Sequence, residues 1–244
     1  MKRGSFSING IYSDELNSVI QNRPEIQTPK RKVNFREVNG RSGAVPFDEE
    51  AYENTTMPLL LFTKGRSEDE VTFKREQIVH HLNHGTYVDF IPYFDQKKVY
   101  KVMLSNGPTF TGNGVHKNFL PYSLDLTIKP FKYFIPNSKM EITKGTTLVN
   151  PSFYISEPRI KLYGTGDSTL TVNGKTFVIK NIQEFITIDS EIAHSYKEVN
   201  GVISGQDNKI FTLDYPVLNT GSNTISWSGS ITKVEIEPRW KTLV

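Results

Sequence analysis

Residues 168–180 read STLTVNGKTFVIK. Asn173-Gly174 at its centre is the pair that a two-residue type I′ hairpin demands, because both turn positions must accept positive φ. Pairing outward from the turn sets Leu170 opposite Phe177. Leu170, Val172, Phe177 and Ile179 then share one face, and Thr169, Thr171 and Thr176 share the other. A period of two with one apolar and one polar side is the pattern of an antiparallel sheet buried on one face, as in a β-sandwich.

The alternation recurs on both sides of this hairpin. Ile160 and Leu162 alternate with Arg159 and Lys161, and Ile186 and Ile188 with Thr187 and Asp189. Upstream, Leu124, Leu126 and Ile128 alternate with Ser123, Asp125 and Thr127. GTYVDFIPYF and VYKVMLS read as another strand pair, joined around Asp95-Gln96-Lys97. The predicted class is mainly β. One segment, SEDEVTFKREQIVHHLNHG (67–85), has helical spacing instead. Ser67 with Glu70 three residues on makes a capping box. Val71, Ile78, Val79 and Leu82 form an apolar stripe, acids fill the first turn, and Gly85 can close the end.

The chain has 244 residues, 29 Lys/Arg against 26 Asp/Glu, and no cysteine. That length supports one large β domain or two ordinary ones. The near balance of charge excludes a basic polyanion-binding protein. Lack of cysteine excludes disulfides, thiolate nucleophiles and Cys-based zinc sites, and suits folding in a reducing cytoplasm. MKRGSFSING has no apolar region after its basic start, and the longest apolar run is Leu59–Phe62, so neither a secretion signal nor membrane insertion is expected. Pro130 and Pro136 bracket an aromatic stretch, KPFKYFIPNS, that predicts a boundary between domains 1–135 and 136–244.

Few residues carry the marks of chemistry. His80 and His84 have metal-ligand spacing on the predicted helix, but His81 stands where a zincin needs Glu, and a polar helix end accounts for them. Asp189, Ser190, Glu191 and His194 hold the residue types of a hydrolase, yet no nucleophile-elbow glycines flank Ser190 and a turn explains the segment. Gly164-Thr165-Gly166-Asp167 looks like a phosphate loop but leads into a strand, so a β-turn is expected. Residues 23–41 are basic through Arg23, Lys30, Arg31, Lys32, Arg36 and Arg41, and an acidic stretch follows at Asp48, Glu49, Glu50 and Glu53. The plain expectation is a solvated loop. The sharper one is a subunit contact in which the basic arm of one copy meets the acidic loop of the next. Trp227 and Trp240 suit core packing or an interface, with a sugar-stacking platform as the rival use.

The chain closes with NTGSNTISWSGSITKVEIEPRW, residues 219–240. A hairpin turned at Ser228-Gly229 is expected, with Ile225 and Trp227 on one strand and Val234 and Ile236 inward on the next. Ile231 is out of phase with Val234, which predicts a bulge. Pro238 ends the strand. Arg239 and Trp240 then form a clasp, Trp240 covering apolar surface and Arg239 meeting a carboxylate or carbonyl.

In linear pattern the chain resembles the distal tail protein (Dit) family of long-tailed, non-contractile bacteriophages. The resemblance rests on Asn150-Pro151, Ser156-Glu157-Pro158-Arg159-Ile160, YGTGDSTLTVNGKTF, Ile188-Asp189-Ser190-Glu191 and the closing segment. Softer matches are SFSING, Asn39-Gly40-Arg41-Ser42-Gly43, the capped helix and Ile128-Lys129-Pro130-Phe131. Asn39 stands where many members have proline. The resemblance covers nearly the full chain. It implies an N-terminal ring-forming β-sandwich with a flanking helix, akin to tail-tube folds, and a C-terminal galectin-like sandwich. It further implies a homo-hexameric ring at the virion tail tip, with rings also able to stack back to back, made in the cytoplasm of the bacterial host. Implied partners are the tail tube protein, the tail-associated lysin or tape-measure hub, and receptor-binding or other baseplate proteins, with DNA passing through the centre. No enzyme activity, cofactor or metal is implied. A galectin sugar site needs a His/Asn/Arg strand with Trp and Glu/Arg partners, which do not assemble here. A carbohydrate-binding adhesin and a tail-tube protein are the competing readings.

Overall fold

The computed structural model describes residues 1–82, 85–104, 106–111 and 118–244. It is mainly β, as the alternation predicts. The chain divides into two compact units, residues 1–132 with 243–244, and residues 133–242.

In the first unit the strands are β1 (Phe6–Ile8), β2 (Ile11–Tyr12), β3 (Ser18–Ile20), β4 (Arg31–Arg36), β5 (Val45–Tyr52) and β6 (Thr55–Lys64). Helix α1 (Glu68–Leu82) follows, then β7 (Val88–Pro92), β8 (Lys98–Leu104), β9 (Thr109–Phe110) and β10, which starts at Phe119. One sheet runs β2-β1-β7-β8-β10-β6-β3. β7 and β8 pair as expected, Phe90 opposite Tyr100. The run Leu59–Phe62 lies on β6, where Met57, Leu59 and Leu61 point inward and Leu60 is exposed. Period two thus splits that apolar run between core and surface. Leu124, Leu126 and Ile128 of β10 face the same core. At its edge Tyr122 donates to Ser18 Oγ at 2.9 Å, and Ser18 shares a 2.5 Å hydrogen bond with buried Thr63. Burial pushes the Tyr122 hydroxyl up to about 12.

The cap of α1 differs in detail from the reciprocal box. Ser67 Oγ accepts from the Glu70 N–H at 3.2 Å, but the Glu70 carboxylate accepts from the Arg66 N–H at 2.7 Å, one residue earlier. Val71 and Ile78 are buried, whereas Val79 is exposed; the Leu82 side chain lies outside the described residues. Among the described residues no helix is long and apolar enough to cross a membrane.

The second unit contains β11 (Met140–Ile142), β12 (Thr146–Asn150), β13 (Arg159–Val172), β14 (Lys175–Ile182), β15 (Phe185–Asp189), β16 (His194–Val199), β17 (Val202–Gly205) and β18 (Gly221–Glu237). The order is β11-β18-β13-β15-β16-β17, with β12 on β18 and β14 on β13. The Asn173-Gly174 turn forms as read: φ is 52° and 80°, and Leu170 faces Phe177. Leu170, Val172, Phe177 and Ile179 enter a core completed by Ile160, Leu162, Ile186, Ile188, Ile225, Val234 and Ile236.

Two expected turns are absent. β18 runs unbroken through Ser228-Gly229, so the closing segment is one strand and not a hairpin. β13 likewise runs through Gly164–Asp167, so that stretch is no turn between strands. The two long strands pair with each other, and their register jumps between Gly164 and Ser168 on β13. The glycines serve this crossing. A Cβ on Gly164 would lie 2.5 Å from the Ser230 carbonyl oxygen, and one on Gly229 2.5 Å from that of Asp167. The bulge inferred from Ile231 is present: Tyr163 faces Lys233 and Gly164 faces Ile231, leaving Thr232 extra.

Candidate interaction surfaces

Arg31, Lys32 and Arg36 lie on β4 and Asp48, Glu49 and Glu50 on β5, which pair in one ribbon, whereas Arg23, Lys30, Arg41 and Glu53 lie outside its strands. Phe35 faces Pro46 and Arg36 faces Val45. Register slips between Arg31 and Val33, and Glu50 sits in the bulge at φ 54°. Asp48 Oδ1 steadies that bulge by accepting the Glu50 N–H at 3.0 Å, as a short Asx side chain does in turns. The Arg31 guanidinium is bound by the Asp48 carboxylate and by the Tyr52 hydroxyl at 3.1 Å. Arg31 holds the Asp48 carboxyl below the usual range, and Asp48 raises Arg31 in turn. Glu49 accepts from Asn34 Nδ2 at 2.5 Å, and Arg36 lies over the Phe47 ring. At the ribbon's base Tyr52 packs edge-on against Phe131. Lys32, Arg41 and the Glu50 carboxylate project to solvent. Phe35 and Phe47 are 69% and 49% exposed.

One sheet face of the second unit carries the other charged surface. Residues directly opposite in antiparallel strands share a face, so the register lays out three rows. The first is His194, Asp189, Arg159, Glu237. The second is Tyr196, Thr187, Lys161, Glu235, Glu141. The third contains Phe185, Tyr163, Lys233. Arg159 pairs with Glu237 at 2.5 Å. Glu235 accepts from Tyr163 at 2.9 Å and pairs with Lys139 at 2.7 Å and Lys233 at 2.8 Å. Lys139 and Lys233 draw its carboxyl down to about 2.

Arg239 and Trp240 sit beside this face. Pro238 follows the last residue of β18, and Arg239 takes φ 56°. Its guanidinium forks onto Asp189 and reaches Glu191 at 3.2 Å. Burial lowers the Arg239 pKa, and the hydrogen bonds and charges of Asp189, Glu191 and Glu237 more than offset it, leaving it raised. Tyr133 donates to Glu191 at 3.0 Å. Burial and Glu191 push the Tyr133 hydroxyl up. Trp240 packs against the second core, and its carbonyl accepts the Phe134 N–H at 3.0 Å.

The remaining sequence candidates do not converge. His84 lies outside the described residues, and the His80 and His81 rings meet each other edge-on. Among the described residues no set of three His, Cys, Asp or Glu groups could hold a metal. Asp189 is engaged by Arg239, while His194 Nδ1 contacts Asp207 Oδ2 at 2.5 Å, so Asp189, Ser190 and His194 form no relay. Trp227 packs partly buried against the core. Asp207 escaped the sequence reading: it also binds the Ser195 N–H and the Tyr215 hydroxyl, tying β16 to the segment beyond β17. Only its place in an Asp-Asn turn signal hinted at it.

No family model and no curated protein matches the chain. Among solved structures it is similar to the SPP1 Dit protein (gp 19.1), described as a paradigm of the hub adsorption apparatus in phages infecting Gram-positive bacteria. The TM-score is 0.69 at 15% identity, over 98% of this chain and 99% of that one. It is also similar to a chain of the phage P2 baseplate in its activated conformation with Ca, at TM-score 0.58, 13% identity and 97% of each chain. A chain of the Sr form of that baseplate gives 0.53 at 12% identity, over 95% of this chain and 97% of that one. The likeness is one of fold and runs through both units.

Proposed function

We propose that this chain is a structural subunit of a phage tail tip: six copies close into a ring that joins the tail tube to the host-adsorption apparatus. DNA passes through the centre during delivery. The single observation that supports this most is the fold match over 98% of this chain and 99% of the hub protein, which takes in both units of the chain. Fold does not dictate function, but here two units in one order are matched together. The expected partners are the tail tube, the tail-associated lysin or tape-measure hub, and receptor-binding or other baseplate proteins.

The β4–β5 ribbon is the proposed subunit contact. A lone two-stranded hairpin is at best marginally stable in water, and this one exposes Phe35 and Phe47. A neighbouring copy would cover both rings. Arg31 and Asp48 are occupied with each other, so Lys32, Arg36, Arg41, Glu49 and Glu50 are left to set the register. Such head-to-tail contacts close into a ring when the rotation between copies permits.

Light scattering and negative-stain microscopy over a concentration series test the reading. Closed six-fold rings are expected above a threshold concentration. Open polymers of varied length would instead indicate a tail-tube protein, and monomers at every concentration, with or without baseplate partners, would overturn the ring. The adhesin reading expects an exposed Trp227 or tyrosine cluster and cell-wall binding by the isolated protein; Trp227 is partly buried against the second core.

A further inference from the structure

On the charged face of the second unit almost every ionised side chain is matched by another. Arg159 meets Glu237, Lys139 and Lys233 meet Glu235, and Arg239 meets Asp189. Two groups stand apart. Lys161 has no carboxylate partner among the described residues. Its ammonium rests 3.8 Å from the centroid of the Phe185 ring and 5.0 Å from that of Tyr163. Glu198 has no hydrogen-bond or ion-pair partner among the described residues and is exposed.

Both line the same depression, of about 250 Å³, together with Arg159, Phe185, Thr187 and Tyr196. The register explains why it is there. In the second row Thr187 stands between Lys161 and Tyr196, a short side chain between two long ones. Beyond Tyr196 the row continues to Gly205, which has no side chain at all. Thr187 is therefore a floor, and the longer residues around it are walls. The cation–π contact with Phe185 holds the Lys161 ammonium in place without neutralising it.

We propose that this depression binds one saccharide unit. Its volume lies below the roughly 300–1,000 Å³ of drug-sized sites, which suits one ring-sized polar ligand. Lys161 can only donate hydrogen bonds and Glu198, ionised, can only accept them. A vicinal diol does both, so adjacent hydroxyls satisfy the two groups at once. The Thr187 and Tyr196 hydroxyls can turn to either role. Recognition here is by hydrogen bonding, since the Phe185 ring is already occupied by Lys161. The proposal does not rest on the ring reading or on either tryptophan.

The test is a two-dimensional amide NMR titration of the full chain with D-glucose, D-galactose, N-acetyl-D-glucosamine and D-galacturonate, each to about 50 mM, which spans weak single-site affinities. At least one sugar should give saturable shifts confined to residues 159–161, 185–187 and 196–198. Lys161→Ala and the near-isosteric Glu198→Gln should each weaken that response about ten-fold, the size expected for a hydrogen bond to a charged group. Glycine, which carries both charges but no diol, is the control and should not saturate the same amides. The proposal is overturned if no sugar shifts these amides, if both folded variants respond like the parent, or if glycine saturates them while the sugars do not.

Discussion

Arg239 lies forked on Asp189, Nη1 to Oδ1 at 2.6 Å and Nη2 to Oδ2 at 2.9 Å, with 14% and 6% of the two side chains exposed. Two parallel N–H···O bonds fix both planes at once, a geometry that lysine cannot supply. Removing the cation strands a buried carboxylate. Arg239→Ala should therefore cost on the order of 3 kcal/mol, read as a shift in the denaturation midpoint. Arg239→Lys should recover only part of that loss. Replacing both residues by apolar ones of similar size should restore most of it, because neither charge is then left unpaired. A midpoint unchanged in Arg239→Ala would show that the fork contributes nothing.

Deleting residues 238–244 removes more than this pair. Trp240 packs on the second core and Val244 on the first. Differential scanning calorimetry should find a lower melting temperature for the truncated chain, by more than Arg239→Ala alone produces. An identical melting curve would rule out a clasp role for the tail.

The ribbon makes the opposite kind of prediction. Lys32, Arg36 and Arg41 are exposed, and reversing all three to Glu should shift stability little, since surface changes are usually within about 0.5 kcal/mol each. The same change should prevent ring closure, and Phe35→Ser with Phe47→Ser should do likewise. Rings that still form in both variants would place the contact elsewhere. Arg31 is unsuited to this test, since its loss would also free Asp48.

Glu235 gives a pH signature. Its carboxyl is held at about 2 against an ordinary value of 4.5, chiefly by Lys139 and then Lys233. A depressed folded pKa contributes stability that is present above the unfolded value and lost as pH falls through the folded one. The melting temperature should thus decline from about pH 4.5 toward pH 2, and Glu235→Gln should flatten that part of the profile. A parent and a Gln variant with parallel acid profiles would refute the assignment.

The linear code carried some elements fully. Asn173-Gly174 needs no partner to declare a turn, since positive φ at two successive positions is a local demand, and the register of Leu170 on Phe177 follows from it. Ser67 and Glu70 announced the helix start for the same reason, although the Glu70 acceptor reached Arg66 rather than Ser67. Alternation placed Leu124, Leu126 and Ile128 inward because side-chain period in a strand is geometric.

Other features required the folded chain. Gly164, Gly166 and Gly229 read as turn residues, yet they lie within two long paired strands. Whether a glycine marks a turn or a close approach depends on which backbone passes beside it, at Gly164 and Gly229 a carbonyl oxygen 2.5 Å from the missing Cβ. In the linear sequence the basic and acidic stretches of the first unit read either as a solvated loop or as a contact between copies, with no pairing within the chain implied. Antiparallel pairing of β4 with β5 set Arg31 beside Asp48 and spent two charges internally. Arg239 and Asp189 are fifty residues apart, and Lys161 and Glu198 share a depression although they lie on strands separated by β15. Sequence thus determined the local conformations and the inward face of each strand, whose causes lie within a few residues. Tertiary structure alone decided which charges meet and which stay free, because that depends on strand order and register between distant segments.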